Sequence, residues 1–197
     1  MRSLLLTSFE PFGGQARNAA QDAAALLPEQ IGDWRIIKRT VPTVFSASVD
    51  AVVEAICKET PDAVLMVGQA AGRSALTPER FAFNEVNARI PDNAGKQPKN
   101  APIVENGPEA YDTTLPVENL VAAMQAVGIP SEISVDAGRF VCNELFYGVM
   151  HWLAAHNLQI PAGFLHVPQS AEQAQAGQPS LPLDRIVAGL KAAIEAI

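Results

Sequence analysis

Residues 63–68, AVLMVG, decide the fold, because an unbroken apolar run closed by glycine is how a strand covered on both faces of a parallel sheet reads. Such a strand needs helices above and below it, and the flanking sequence offers them. Immediately upstream, SVDAVVEAICKE (48–59) puts Val49, Val52, Val53 and Ile56 on one helical face behind Ser48, the expected N-cap, and carries Cys57 in the same helix. Further back, Trp34–Val41 reads as a strand and Asn18–Leu27 as an alanine-rich helix. Ser3–Thr7 is a short apolar strand ended by a turn containing Pro11, Gly13 and Gly14. Downstream the texture changes. ERFAFNEVNARI alternates polar and apolar residues and PDNAGKQPKNAP is a loop, so Leu76–Val104 is expected to form strand, exposed loop and strand. Leu115–Val127 is a helix with Pro116 in its first turn, stopped by Gly128 and Pro130. Ser131–Val135 is a strand, about Arg139–His156 a longer helix, and Ala162–Val167 the last strand. LPLDRIVAGLKAAIEAI closes the chain as an amphipathic helix. Repeated βα alternation with short connections predicts an α/β fold, one domain over residues 1–197, with a mostly parallel central sheet between helical layers.

Composition narrows the function. Of 197 residues, 48% are apolar, enough for a sizeable core, and 14 basic against 21 acidic residues leave a net charge of −7. Nucleic acid is thereby a poor partner, since a polyanion is held by clustered Lys and Arg. Cys57 and Cys142, far apart, build neither a disulfide framework nor a thiolate zinc site, so reduced thiols and a cytoplasmic location are expected. MRSLLLTSFEPFGG reads as a strand rather than a signal peptide, and no apolar stretch approaches the roughly 20 residues that cross a bilayer. No membrane partner is expected.

In parallel α/β sheets chemistry gathers at the carboxyl ends of the strands. Four loops are placed there: SFEPFGG, QAAGR after the central strand, DAGRF before Cys142, and the chain after His166. Cys142 falls in the first turn of its helix, where the helix dipole and unpaired amides are expected to lower a thiol's pKa. The competing structural reading is a small buried residue in a helix contact, and that reading is kept for Cys57. His166 ends an apolar strand just before Pro168 and can take a proton from a thiol on a neighbouring strand-to-helix turn. His151 and His156, late in a helix, read as solvent-facing or C-terminal. For the group that orients the imidazole, Glu79 is the candidate, against a simple ion pair with Arg80 or another surface base. Asp92 either serves instead or shapes its turn. Phe9 and Phe12 line a flat-ligand pocket or pack in the core. The double glycine at 13–14 lacks the spacing of a phosphate loop.

Taken together, TSFEPFGG with Asn18, GQAAGR, LTPERFAFNEVNARIPDNAGKQP, AGRFVCNELFYG and GFLHVPQSAEQ resemble, in order and over nearly the whole chain, the pyrrolidone carboxyl peptidase (pyroglutamyl peptidase I) family of cysteine peptidases. The resemblance implies an α/β/α sandwich, Cys142, His166 and Glu79 as the catalytic set, and peptides with an N-terminal pyroglutamate as substrates. It further implies no metal or cofactor, a cytoplasmic location and a homo-oligomer, often a tetramer. For the flat lactam, Phe9 and Phe12 are the expected wall, and Asn18 and Gln69 the expected polar partners. Asp136 and the QSA after HVP depart from the family pattern and are expected to touch rate or access. Two alternatives stay open: a nucleoside-phosphorylase-like enzyme, which needs a phosphate site, and a non-catalytic thiol-bearing binding protein.

Overall fold

The computed structural model describes residues 1–197. In chain order it comprises β1 (Arg2–Phe9), α1 (Ala19–Leu26), β2 (Gln30–Ile31), β3 (Trp34–Val41), α2 (Ala47–Glu59), β4 (Ala63–Gln69), β5 (Thr77–Glu79), β6 (Phe81–Phe83), β7 (Ala110–Asp112), α3 (Val117–Ala126), α4 (Val141–Ala155), β8 (Ala162–Val167) and α5 (Leu183–Glu195). The main sheet runs β2-β3-β1-β4-β8-β5, and β6 and β7 form a separate hairpin-like pair. The four inner strands β3, β1, β4 and β8 are parallel, while the short edges β2 and β5 are antiparallel. The sheet is therefore mostly parallel, with α1, α3 and α5 on one face and α2 and α4 on the other. Period-2 alternation sorts β4 between the layers: Ala63, Leu65 and Val67 join the first core, Val64 and Met66 the second. Every residue of β4 is buried, as its sequence demands. No helix is long and apolar enough to cross a membrane.

Three local expectations need correction. Ser131–Val135 is not a regular strand but an edge segment joined to the chain around β5 by two isolated parallel bridges. The Leu76 and Arg80 amides donate to Pro130 and Ser134 carbonyls, and Glu132 and Ser134 amides donate back to Leu76 and Pro78. The missing rung is at Pro78, which has no N–H, and the ladder breaks there. Ser48 is not a cap: α2 starts two residues earlier, Ser46 holds the N-cap position without a side-chain bond, and Ser48 is buried inside the helix. Within Leu76–Val104 the first strand splits into β5 and β6, and the second shrinks to one bridge between Val86 and Ala101. Pro98 and Pro102 lack amide donors on either side of that bridge.

A candidate active site at the end of the central strands

Cys142 is the second residue of α4, and the first amides of a helix have no partner within it. Beside it lies the end of β4. Gly68 is the register partner of His166 across the β4–β8 pair, and a Cβ on Gly68 would fall 3.1 Å from Cys142 Sγ and 2.8 Å from Phe164 Cζ. The glycine thus makes the space in which the sulfur approaches the sheet beside His166. No signal in the apolar run AVLMVG singled it out, because a strand-ending glycine also reads as an ordinary turn.

On its other side β8 carries the edge strand β5, with Thr77 opposite His166 and Glu79 opposite Phe164. Two residues along the same face, Glu79 reaches back to the ring, and His166 Nδ1 donates to Glu79 Oε1 at 2.7 Å. Glu79 is fully buried and His166 3% exposed. The same Oε1 accepts from Arg73 Nη1 at 2.6 Å, and Arg73 Nη2 donates to the Asp136 carbonyl at 3.0 Å. Arg80 pairs with Glu118, so the ion pair expected of Glu79 as the alternative is made with Arg73, alongside the bond to His166. Arg73 is the functional residue that the sequence reading missed. Its signal was a base in the tight QAAGR loop directly after a fully buried strand, where Gly72 turns at φ +88°.

Electrostatics follow from this burial. Burial works to raise the Glu79 carboxyl, but the hydrogen bond and charge of His166, with help from Arg73, hold it below the ordinary range. Burial lowers His166, against the pull of Glu79. An ionised carboxylate only accepts, so Nδ1 carries the proton and Nε2 is left as the basic nitrogen. Burial, reinforced by the Glu79 charge, pushes the Cys142 thiol up to about 12, against the pull of Arg73 and its own backbone amide. This corrects the expectation of a thiol lowered by the helix start, since desolvation outweighs the dipole. The resting pair is a thiol and a neutral imidazole. They share the cavity without a hydrogen bond between them, a looseness common in unliganded sites.

A cavity of about 610 Å³ opens over these groups, lined by Cys142, His166, Gln69, Phe12, Ile90 and Phe140 among others. Of the expected pocket residues, Phe12 and Gln69 line it. Phe9 and Asn18 do not: Phe9 is in the core against Phe164 (ring centroids 6.4 Å), and Asn18 caps α1, accepting from Ala20 N and donating to the Glu10 carbonyl. Both positions are explained by local geometry, a strand's inward side and a helix start. Gln69 Oε1 accepts from Ala19 N at 2.7 Å, and its Nε2 donates only a long bond to Gln15 Oε1 at 3.5 Å, which leaves its second N–H for another acceptor. Asp92 shapes its loop, accepting from Ala94, Lys96 and Phe45 amides. Asp136 accepts from Gly138 N and pairs with Arg139. His151 is half-buried and bonded to Tyr111, whereas His156 is exposed and folds onto the Trp152 carbonyl. No group of three or more His, Cys, Asp or Glu side chains is placed to hold a metal ion.

Comparison with known proteins finds the same family and fold along the whole chain. The family model described as pyroglutamyl peptidase matches residues 2–197. A pyrrolidone-carboxylate peptidase of Levilactobacillus brevis is 49% identical over 98% of this chain and 96% of its own length, and one of Bacillus thuringiensis is 46% identical over 99% and 92%. Among solved structures, the pyroglutamyl peptidase I of Bacillus amyloliquefaciens superposes with a TM-score of 0.96 at 44% identity, covering 100% of this chain and 96% of that one. A mutant pyrrolidone carboxyl peptidase of Pyrococcus furiosus superposes at 0.93 and 36% identity, over 98% and 96%. With the family model spanning all but the first residue and the site lying where the sheet's carboxyl ends meet α4, this chain belongs to the pyroglutamyl peptidase family of cysteine peptidases.

Proposed function

We propose that this chain releases N-terminal pyroglutamate from peptides by acyl transfer through Cys142, with His166 moving the proton and Glu79 holding the ring. The observation that carries the assignment is the buried Glu79–His166 pair, backed by the half-buried Arg73 and ending at a cavity that also receives Cys142 from a helix start. His166 Nε2 takes the thiol proton as sulfur attacks the carbonyl joining pyroglutamate to the next residue. The imidazolium so formed gives that proton to the departing amine, leaving a thioester and a free peptide. Water, deprotonated by the same ring, then attacks the thioester and restores the thiol as pyroglutamate leaves. Because the resting thiol is neutral, deprotonation and attack are coupled rather than preceded by a standing ion pair. The amides at the start of α4 are suited to take the oxyanion.

The lactam ring is flat and uncharged, with one N–H and one carbonyl. Phe12, Phe140 and Ile90 supply an apolar wall, and the second N–H of Gln69 Nε2, beside the one that meets Gln15, is a donor for the lactam carbonyl. A prolyl peptide lacks that carbonyl and brings an ammonium into the same space, leaving Gln69 unpaired. The test compares kcat/KM for pyroglutamyl, prolyl and glutaminyl derivatives of one chromogenic leaving group. The pyroglutamyl compound should lead by about 10⁴-fold or more. Comparable values for the prolyl compound would overturn the pocket assignment.

A further inference from the structure

The segment between β3 and α2 is gripped by acids from three distant parts of the chain. Thr43 N donates to Glu10 Oε1 (3.3 Å), Phe45 N to Asp92 Oδ2 (2.9 Å), and Ser46 N to both oxygens of Glu144 (2.9 and 3.0 Å). Asp92 and Glu144 are 6% and 7% exposed, and the chemistry above uses neither. Burying carboxylates opposes folding unless the amides they meet repay it. A serine hydroxyl would cap α2 without that cost, yet Ser46 makes no cap bond and stands at φ +67°, a left-handed conformation that non-glycine residues resist. The grip therefore serves the position of this loop more than the stability of α2. What the loop positions is Phe45. Its ring meets Phe140 edge-on, with centroids 5.4 Å apart and planes at 89°, and Phe140 in turn packs, tilted, against Phe12 at 6.1 Å, both rings lining the cavity. Phe140 lies two residues before Cys142 and Glu144 two residues after it, so one turn of α4 carries the wall, the nucleophile and the clamp.

We propose that Glu144 and Asp92 are positioning residues for substrate: by holding the Ser46 and Phe45 amides they seat the Phe45 ring behind Phe140 and so set the apolar wall against which the lactam lies. The inference rests on reading this cavity as the lactam site. The groups facing Glu144 are Ser46 and Asp50 from α2 and Asp92 and Lys96 from the loop before β7. Burial pushes its carboxyl up to about 7, the Ser46 amide and Lys96 pulling down, Asp92 and Asp50 pushing up. An amide is held more strongly by a carboxylate than by a carboxylic acid, so the wall loosens as Glu144 takes up its proton. KM should accordingly rise as pH falls through neutrality.

The experiment measures kcat and KM separately for one chromogenic pyroglutamyl amide across neutral pH, in wild type, Glu144→Ala, Glu144→Gln and Phe12→Ala. Glu144→Ala should raise KM by about tenfold while kcat changes by less than about threefold. Glu144→Gln, whose amide oxygen still accepts from Ser46 N, should recover most of that loss and show a KM that no longer depends on pH. A fall in kcat at unchanged KM in Glu144→Ala, or a wild-type pH dependence of KM in Glu144→Gln, would overturn the inference. Should Glu144→Ala fail to fold, the Glu144→Gln profile decides alone. Phe12→Ala separates the two levels, because Phe12 lines the cavity itself. An unchanged KM there rejects the cavity reading, whereas a raised KM there beside an unmoved one in Glu144→Ala rejects only the clamp.

Discussion

Helices α2 and α4 lie side by side on one face of the sheet, so close that a Cβ on Gly148 would fall 2.7 Å from Val49, and each carries one cysteine. Cys57 is near the end of α2 and exposed. Cys142 is at the start of α4 and partly buried. Because a helix leading into a parallel strand begins at the carboxyl edge of the sheet and ends at the opposite edge, these two thiols stand at opposite ends of the molecule. The helix starts differ too. The α2 start is filled by the Glu144 carboxylate, while the α4 start is left for a ligand in the cavity. Reactivity here is a property of place rather than of residue type.

The comparison breaks first at the two thiols. Cys142→Ser should lower kcat/KM by about 10⁴-fold or more, since a hydroxyl is a far poorer nucleophile than a sulfur with the same base. Wild-type turnover in a preparation free of contaminating peptidase would refute the nucleophile.

Glu79→Gln comes next, with a loss of about 10- to 100-fold in kcat. Arg73 donates to the same Oε1 that accepts from His166 Nδ1, so in the variant Arg73 selects the amide oxygen for that position and the ring keeps its tautomer. The lost charge no longer raises His166, so the acid limb of the kcat/KM profile should move to lower pH. A limb that stays in place would separate Glu79 from the imidazole.

Gly68→Ala tests the close approach that α4 makes and α2 does not. The new methyl meets Phe164 and the Cys142 sulfur at 2.8–3.1 Å. It should cost about tenfold in kcat and about 1–3 kcal/mol of stability, read from urea midpoints. Unchanged activity would show that the sulfur does not depend on that gap.

A smaller effect on turnover is expected at the α2 start, where the change is read in stability. Folded Glu144 keeps its proton up to about 7 against 4.5 for an unburied glutamate, so it favours the fold fully below about 4.5 and loses that contribution as pH rises through about 7. Glu144→Gln removes the titration. Its stability relative to wild type should climb between those pH values, by about 3 kcal/mol. A parallel pair of stability curves would sink this account. Cys57→Ser, smallest of all, should leave kcat/KM within about twofold.

Much of this was legible from residues alone. AVLMVG announced a doubly covered strand, the strand ends pointed to Cys142 and His166, and Glu79 stood out beside Pro78 at the start of the alternating segment. Short elements were not legible: β2 has two residues, and β7 three, lengths at which periodicity carries no signal. The pocket was half legible. Phe12 and Gln69 are where a strand-end loop puts them, but Asn18 is a helix cap and Phe9 faces inward, alternatives that residue type cannot separate.

The sequence by itself determined the layered α/β architecture and the end of the sheet at which chemistry is placed, because hydrophobic period and helix polarity are local properties of the chain. Tertiary structure alone decided the partners of Glu79, the gap at Gly68, the raised thiol of Cys142 and the acid clamp on Ser46. Each depends on which groups distant in the chain are brought together and how completely water is removed from around them, and neither quantity is written in any single segment.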